Sequence, residues 1–312
     1  MSNKVQVLIT CDVDPSEEIP EAEKLKSFRK LSVLFRDMNI RATYFFVANT
    51  AKLYTNDVWQ IHQDGHEIGS HGLTHGIEEE YTTMKEHEQR RYLREATEKL
   101  QKFSGRPVRS FRGPRVKTSQ LTQSILCELN YLVDASVCSQ RIDFISSNFI
   151  NPGWIFAPRL PYQPHADDAF KRGAQPIWVV PVSALIVPFI SSTLYMLGVG
   201  FMKRFFDLLL SESRRTGKPI VYLMHPVEFA SQTKKVKEKA TWQSVKARGF
   251  YFRRKLKLRI DEHKRFEFNR ALFEYIAAHP DIEFTTMSSY VLSPEFKQSD
   301  HYKSINSKRV EI

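Results

Sequence analysis

A chain of 312 residues with 42% hydrophobic and 26% charged residues, including 22 Phe and 12 Tyr, excludes a disordered or fibrous protein and supplies a substantial core. The formal net charge of +11 is concentrated: residues 234–265 hold 13 Lys/Arg against 3 Asp/Glu, which fits either an anionic partner (phosphate, acidic lipid headgroup or nucleic acid) or a solvated helix face. Cys11, Cys127 and Cys138 are odd in number and lack CxxC spacing, which excludes a disulfide framework or a structural zinc knot; with no secretory leader in MSNKVQVLIT, a cytoplasmic location is expected.

In chain order, residues 5–11 form a short apolar, β-branched run that predicts a strand. Residues 20–38 place Leu25, Phe28, Leu31, Leu34 and Phe35 at three- and four-residue spacings, an amphipathic helix. Residues 42–47 predict a second strand, residues 58–63 a short helix, and residues 67–70 a third strand ending at His71. Helical periodicity runs over residues 78–103 and stops at Ser104 and Gly105, with Pro107 beyond. Further strands are predicted at 108–111, 132–135, 177–182 and 220–224, a helix at 268–278 and a last strand at 282–285. Strands alternating with helices predict an α/β fold with a parallel sheet, open or closed into a barrel. Residues 1–312 are expected to form one domain, with 230–312 a basic C-terminal extension packed on it. No charged residue occurs from Gly173 to Met202, but Pro181 and Pro188 interrupt the run. Proline costs about 3 kcal/mol inside a helix, so a buried strand followed by an apolar helix is expected there, not a membrane span.

Four motifs carry chemistry, each at or just past the carboxyl end of a predicted strand, where loops converge on one mouth in parallel α/β proteins. In TCDVDP, the period of two along a strand points Asp12 and Asp14 to one face. Two carboxylates held together call for a cation or a proton between them. In SHGLTH, His71 and His75 lie four apart, which on a helical turn puts them on one side, about 5–6 Å between Cβ atoms. Two imidazoles and a carboxylate leave coordination positions open, as a catalytic site requires. In FRGPR, Arg112 offers a planar fork suited to orienting a carboxylate, and Gly113-Pro114 fixes a turn whose N–H groups can face an oxyanion. In VYLMHP, an apolar strand delivers His225, a side chain able to exchange a proton near neutral pH.

Taken together in this order, TCDVDP, HEIGSHGLTH, SFRGPR and YLMHP resemble the motifs of the polysaccharide deacetylases, the NodB-homology group of carbohydrate esterases, over residues 10 to about 226. NYLVDASV resembles the strand that carries an acidic partner for the last histidine. The resemblance implies a distorted, TIM-like (β/α) barrel and metal-dependent hydrolysis of an N-acyl bond, the acyl group being acetyl or formyl. Position by position, it implies Asp12 as general base, Asp14, His71 and His75 as metal ligands, and Arg112 as the residue orienting Asp12. It further implies an oxyanion site at the Pro114-Arg115 turn, His225 as general acid and Asp134 as its tuning partner. An aromatic residue commonly follows the motif's proline; Arg115 stands there instead, which points to a charged substrate. Zinc suits the ligand set, with manganese, cobalt and nickel as alternatives.

The implied substrate is an N-acylated carbohydrate, free, nucleotide-linked or lipid-linked. The basic block and the uncharged 173–202 segment together favour a lipid-phosphate-linked sugar and peripheral contact with an anionic membrane surface. A non-catalytic glycan-binding protein on the same barrel is the alternative, though it has no use for the proton-transfer residues. Trp242, Phe250, Tyr251 and Phe252 interleave with the basic residues and could serve as a base-stacking surface; they are read instead as core, and nucleic acid is not an expected partner.

Overall fold

The computed structural model describes residues 4–139, 153–231 and 260–298. Its central strand, β1 (Val5–Val13), is buried along its length except at Gln6. Alternation sorts the side chains of β1 between two cores. Val5, Val7, Ile9, Cys11 and Val13 join Phe28, Leu31 and Phe35 of α1 (Glu21–Asp37) in the layer between sheet and helices. Leu8 joins Phe45, Val133, Val179, Val221 and Leu223, contributed by four other strands, inside the curl of the sheet.

Next come β2 (Ala42–Phe46), a 3-10 segment (Ala51–Asp57), α2 (Val58–Gln63), β3 (Glu67–Ser70), α3 (Glu86–Ser104) and β4 (Ser110–Phe111). A 3-10 turn (Pro114–Val116), α4 (Gln120–Glu128), β5 (Val133–Asp134), α5 (Gly153–Phe156), β6 (Pro164–His165), β7 (Asp168–Arg172) and β8 (Trp178–Val179) follow. The chain then forms β9 (Ala184–Leu185), β10 (Val187–Pro188), α6 (Ser191–Thr216), β11 (Ile220–Met224) and a 3-10 turn (Pro226–Phe229). Beyond residue 259 lie α7 (Glu262–Ala277), β12 (Ile282–Phe284), α8 (Met287–Leu292) and α9 (Pro294–Gln298). The main sheet runs β11-β1-β2-β3-β4-β5-β8, with β12 paired to β1, and every pairing in it is parallel. It curls into a half-barrel surrounded by helices. Across the gap between β8 and β11, Ser183 N donates to Val221 O (3.1 Å), and Ile190 bridges Leu223.

Several predicted boundaries shift. The helix expected from residue 78 starts at Glu86, because residues 78–85 fold back on the loop after β3. The helix expected from residue 268 starts at Glu262, capped by Asp261, whose carboxylate accepts from Lys264 N. The charge-free stretch holds β8, a two-stranded ribbon and the first part of α6, and among the described residues no helix is long and apolar enough to cross a membrane. Most of the basic block, residues 232–259, lies outside the described residues, as do its aromatics Trp242, Phe250, Tyr251 and Phe252. Residues 260–298 contribute to the sheet itself: β12 pairs with Val5–Val7, and Phe273 of α7 stacks edge-on against Tyr222 and Phe35. Cys11, Cys127 and Cys138 form no disulfide with one another.

Candidate active site

The alternation that buries Leu8 inside the curl carries on to Thr10, Asp12 and, one step past the strand, Asp14. Val221 and Leu223 set the same parity for β11, so His225 emerges on that inner side. Asp12 and Asp14 therefore meet His225 at the strand ends, with His225 Nε2 3.8 Å from Asp14 Oδ2. His71 Nε2 stands 3.4 Å from Asp14 Oδ1 and 3.9 Å from Asp12 Oδ2. His75 Nε2 is 3.7 Å from Asp14 Oδ1.

The two histidines of SHGLTH do not converge through a helical turn. Residues 71–76 are a loop in which Gly72 (φ +80°) and His75 (φ +62°) adopt left-handed backbone, and the curl this produces brings the rings to 5.1 Å between centroids. A Cβ on Gly72 would lie 2.3 Å from Glu79 Oε1, so only glycine fits there.

Each remaining residue has a defined anchor. Arg112, wholly buried, donates from Nη1 to Asp12 Oδ1 and to Thr10 Oγ1 (both 2.8 Å) and from Nε to Ala135 O (3.1 Å), and its guanidinium lies over the Phe45 ring. The Arg112 carbonyl accepts from His71 Nδ1 at 2.7 Å. A carbonyl can only accept, so a proton sits on Nδ1, and Nε2 is the ring atom turned toward Asp14. Burial works to lower the His71 pKa, but the Asp12 and Asp14 carboxylates outweigh it and the pKa stands raised. The Asp14 carboxyl is held well below the usual range despite burial, by His71 Nε2 close against it and the nearby charges of His225, His75 and His71. Burial lowers the His75 pKa. Asp14 Oδ1 is buried, and no hydrogen bond of good geometry reaches it among the described residues. One ligand atom each from Asp14, His71 and His75 lies within 4.8 Å of the others. A buried carboxylate oxygen here faces two imidazole Nε2 atoms, and an Asp/His/His set with this spacing fits a divalent metal.

Two residues behave differently from expectation. Asp134 does not partner His225: its side chain turns outward to α4, accepting from Thr118 Oγ1 (2.8 Å), Gln123 Nε2 (3.0 Å) and Ser136 N (2.9 Å). Burial pushes its carboxyl up against these bonds. Its link to the site is indirect, since Ser136 Oγ accepts from Gly113 N (2.8 Å) and so steadies the Arg112–Pro114 turn. Arg115 directs its charge to the protein's own loop. Its guanidinium faces the carbonyls of Gly76 and Glu79 and the Glu80 carboxylate, while its backbone sits at φ +59° beyond the buried Pro114.

Two residues escaped the sequence reading. Glu228, buried in the turn after β11, is the carboxylate at His225: its Oε1 lies 3.3 Å from His225 Nδ1 and accepts from Ser191 Oγ (3.0 Å), and its Oε2 accepts from Tyr195 Oη (2.9 Å). Burial would lower the His225 pKa; the Glu228 hydrogen bond, with the Asp14, Glu228 and Asp12 charges, raises it to about 9. The spacing was the available signal, because Pro226 starts a tight turn that brings a side chain three residues on back to the histidine. Glu79, the second, is fully buried beneath the His71–His75 loop.

The polysaccharide deacetylase family model matches residues 2–133. No curated protein matches the chain in sequence. Among solved structures, a putative polysaccharide deacetylase from Mycobacterium smegmatis is 14% identical with a TM-score of 0.59, over 98% of this chain and 92% of that one. A probable polysaccharide deacetylase from Pseudomonas aeruginosa PAO1 is 15% identical with a TM-score of 0.58, over 95% and 91%. PuuE allantoinase is 15% identical with a TM-score of 0.55, over 93% and 90%. At these identities the structural likeness is one of fold. Residues 2–133 thus carry the sequence pattern of the polysaccharide deacetylases, and the described chain has the fold of that family.

Proposed function

We propose that this protein is a metal-dependent hydrolase that removes an acyl group, acetyl or formyl, from the amide nitrogen of a carbohydrate or sugar-like compound. The family match supports a deacetylase. The observation that carries the metal reading is the unpartnered, buried Asp14 Oδ1 with the Nε2 atoms of His71 and His75 at 3.4 and 3.7 Å. A divalent cation there, with zinc the first choice, would acidify a water and polarise the acyl carbonyl.

The chain's own residues supply the rest. Asp12, oriented by Arg112, takes a proton from water as its oxygen bonds to the acyl carbon. The N–H at Arg115 faces the oxyanion that forms. His225, protonated and held by Glu228, gives its proton to the nitrogen as the C–N bond breaks, leaving a carboxylate and an amine. Without that proton an amide nitrogen is a very poor leaving group. Each proton-transfer role is typically worth 10²–10⁴ in rate.

The same fold occurs in an allantoinase, so fold alone does not choose the amide. The lipid-linked form of the substrate rests on the basic block and on exposed Ile77, Phe156 and Ile186 (94, 85 and 71% exposed), which follow β3, β5 and β8 in the chain. Co-sedimentation with anionic vesicles tests that part, and absence of salt-sensitive binding removes it. The main test is to measure metal in the purified protein and screen N-acetylated sugars for metal-dependent acetate release. A metal-free protein that no added metal activates would end the proposal.

A further inference from the structure

The loop that delivers His71 and His75 is built around two residues that touch neither imidazole. Glu79 Oε1 accepts from Leu73 N (2.7 Å) and Tyr81 Oη (2.6 Å), and its Oε2 from Thr74 N (2.7 Å), His75 N (2.8 Å) and Thr74 Oγ1 (3.0 Å). Three successive amides reach one carboxylate because the backbone turns left-handed at Gly72 and again at His75. Arg115 gathers the opposite pole of the same loop, donating from Nη1 to Gly76 O (3.2 Å) and from Nη2 to Glu79 O. An anion thus collects the loop's N–H groups, and a cation collects its carbonyls. His71 has a separate anchor in the Arg112 carbonyl. No comparable side-chain anchor holds the His75 ring among the described residues, so its position depends on this backbone.

We infer that Glu79 and Arg115 are positioning residues that hold the His71–His75 loop in its ligating shape before a cation arrives. The inference rests on the metal reading above and adds to it how the site is kept ready. Outer residues that orient ligands typically contribute 10- to 100-fold in metal affinity. Glutamine at position 79 is a sharp probe because either orientation of its amide sets an NH2 group against donors: Leu73 N and Tyr81 Oη in one, Thr74 N and His75 N in the other.

The experiment uses the full chain stripped of metal. Zinc is titrated against a chromophoric chelator, and amide exchange over residues 71–80 is followed by mass spectrometry. Glu79→Gln is expected to weaken zinc binding by about 10- to 100-fold and to speed exchange at 73–75 in the metal-free protein. Arg115→Lys keeps the charge but loses the fork, and should weaken binding by a smaller factor. Zinc affinity and exchange in Glu79→Gln equal to wild type would overturn the inference. Should that variant not fold, unchanged affinity and exchange in Arg115→Lys would do the same. A wild type that binds no zinc would sink the metal reading, while the exchange comparison would still decide whether Glu79 orders the loop.

Discussion

His71 and His225 both turn Nε2 toward Asp14, at 3.4 and 3.8 Å, yet they meet different groups at Nδ1. His71 donates from Nδ1 to the backbone carbonyl of Arg112, which fixes a proton there and leaves Nε2 as the atom a cation would take. His225 faces the Glu228 carboxylate, whose charge favours a second proton on the ring. Nearby carboxylates raise the pKa of both rings, but only His225 has one at Nδ1, and we assign the acid role to it and the ligand role to His71.

The largest effect that could break this comparison is at His71. His71→Ala should lose bound metal and nearly all amide hydrolysis, as read by metal content and acetate release. His225→Ala, and likewise Asp12→Asn, should keep the metal and lower turnover by about 10²–10⁴. An activated ester, whose leaving group needs no proton, should lose much less in His225→Ala. If that variant hydrolysed amides normally, the acid assignment would be wrong.

Glu228→Gln sharpens the contrast further. In the metal-free protein His225 should titrate near 9, and in this variant closer to its ordinary 6.5, as NMR of the ring protons would show. The protonated ring stabilises the wild-type fold fully below pH 6.5, and that contribution fades as pH rises toward about 9, so the variant should lose stability at neutral pH but not at pH 10. Turnover should fall about tenfold, part of the full effect of the acid. The smallest effect on the site is expected at Asp134: Asp134→Asn should leave the His225 titration unchanged and cost about 1–3 kcal/mol of stability through disturbed buried hydrogen bonds. A downward shift of the His225 titration in Asp134→Asn, with none in Glu228→Gln, would reverse the assignment.

Period-two alternation placed Asp12 and Asp14 together from sequence, because a strand gives its side chains only two directions. The alternating inner and outer residues of β11 likewise aim His225 at the same point. Asp134 misled because motif resemblance supplies an order of residues, not a direction, and β5 turns that carboxylate to α4. His71 and His75 do meet, though by a route that helical spacing did not foresee; left-handed backbone at a non-glycine residue such as His75 depends on tertiary partners. Glu79 stayed hidden because residues 78–85 have helical periodicity, and only the folded loop offers the amides that make another conformation better. Arg115, read as a charge for substrate, is spent on the loop's own carbonyls for the same reason.

The most direct test is metal content across three purified proteins, prepared identically and measured by mass spectrometry. Wild type and His225→Ala should carry stoichiometric metal, and His71→Ala little or none. Metal retained in His71→Ala but lost in His225→Ala would contradict the division of the two histidines into ligand and acid.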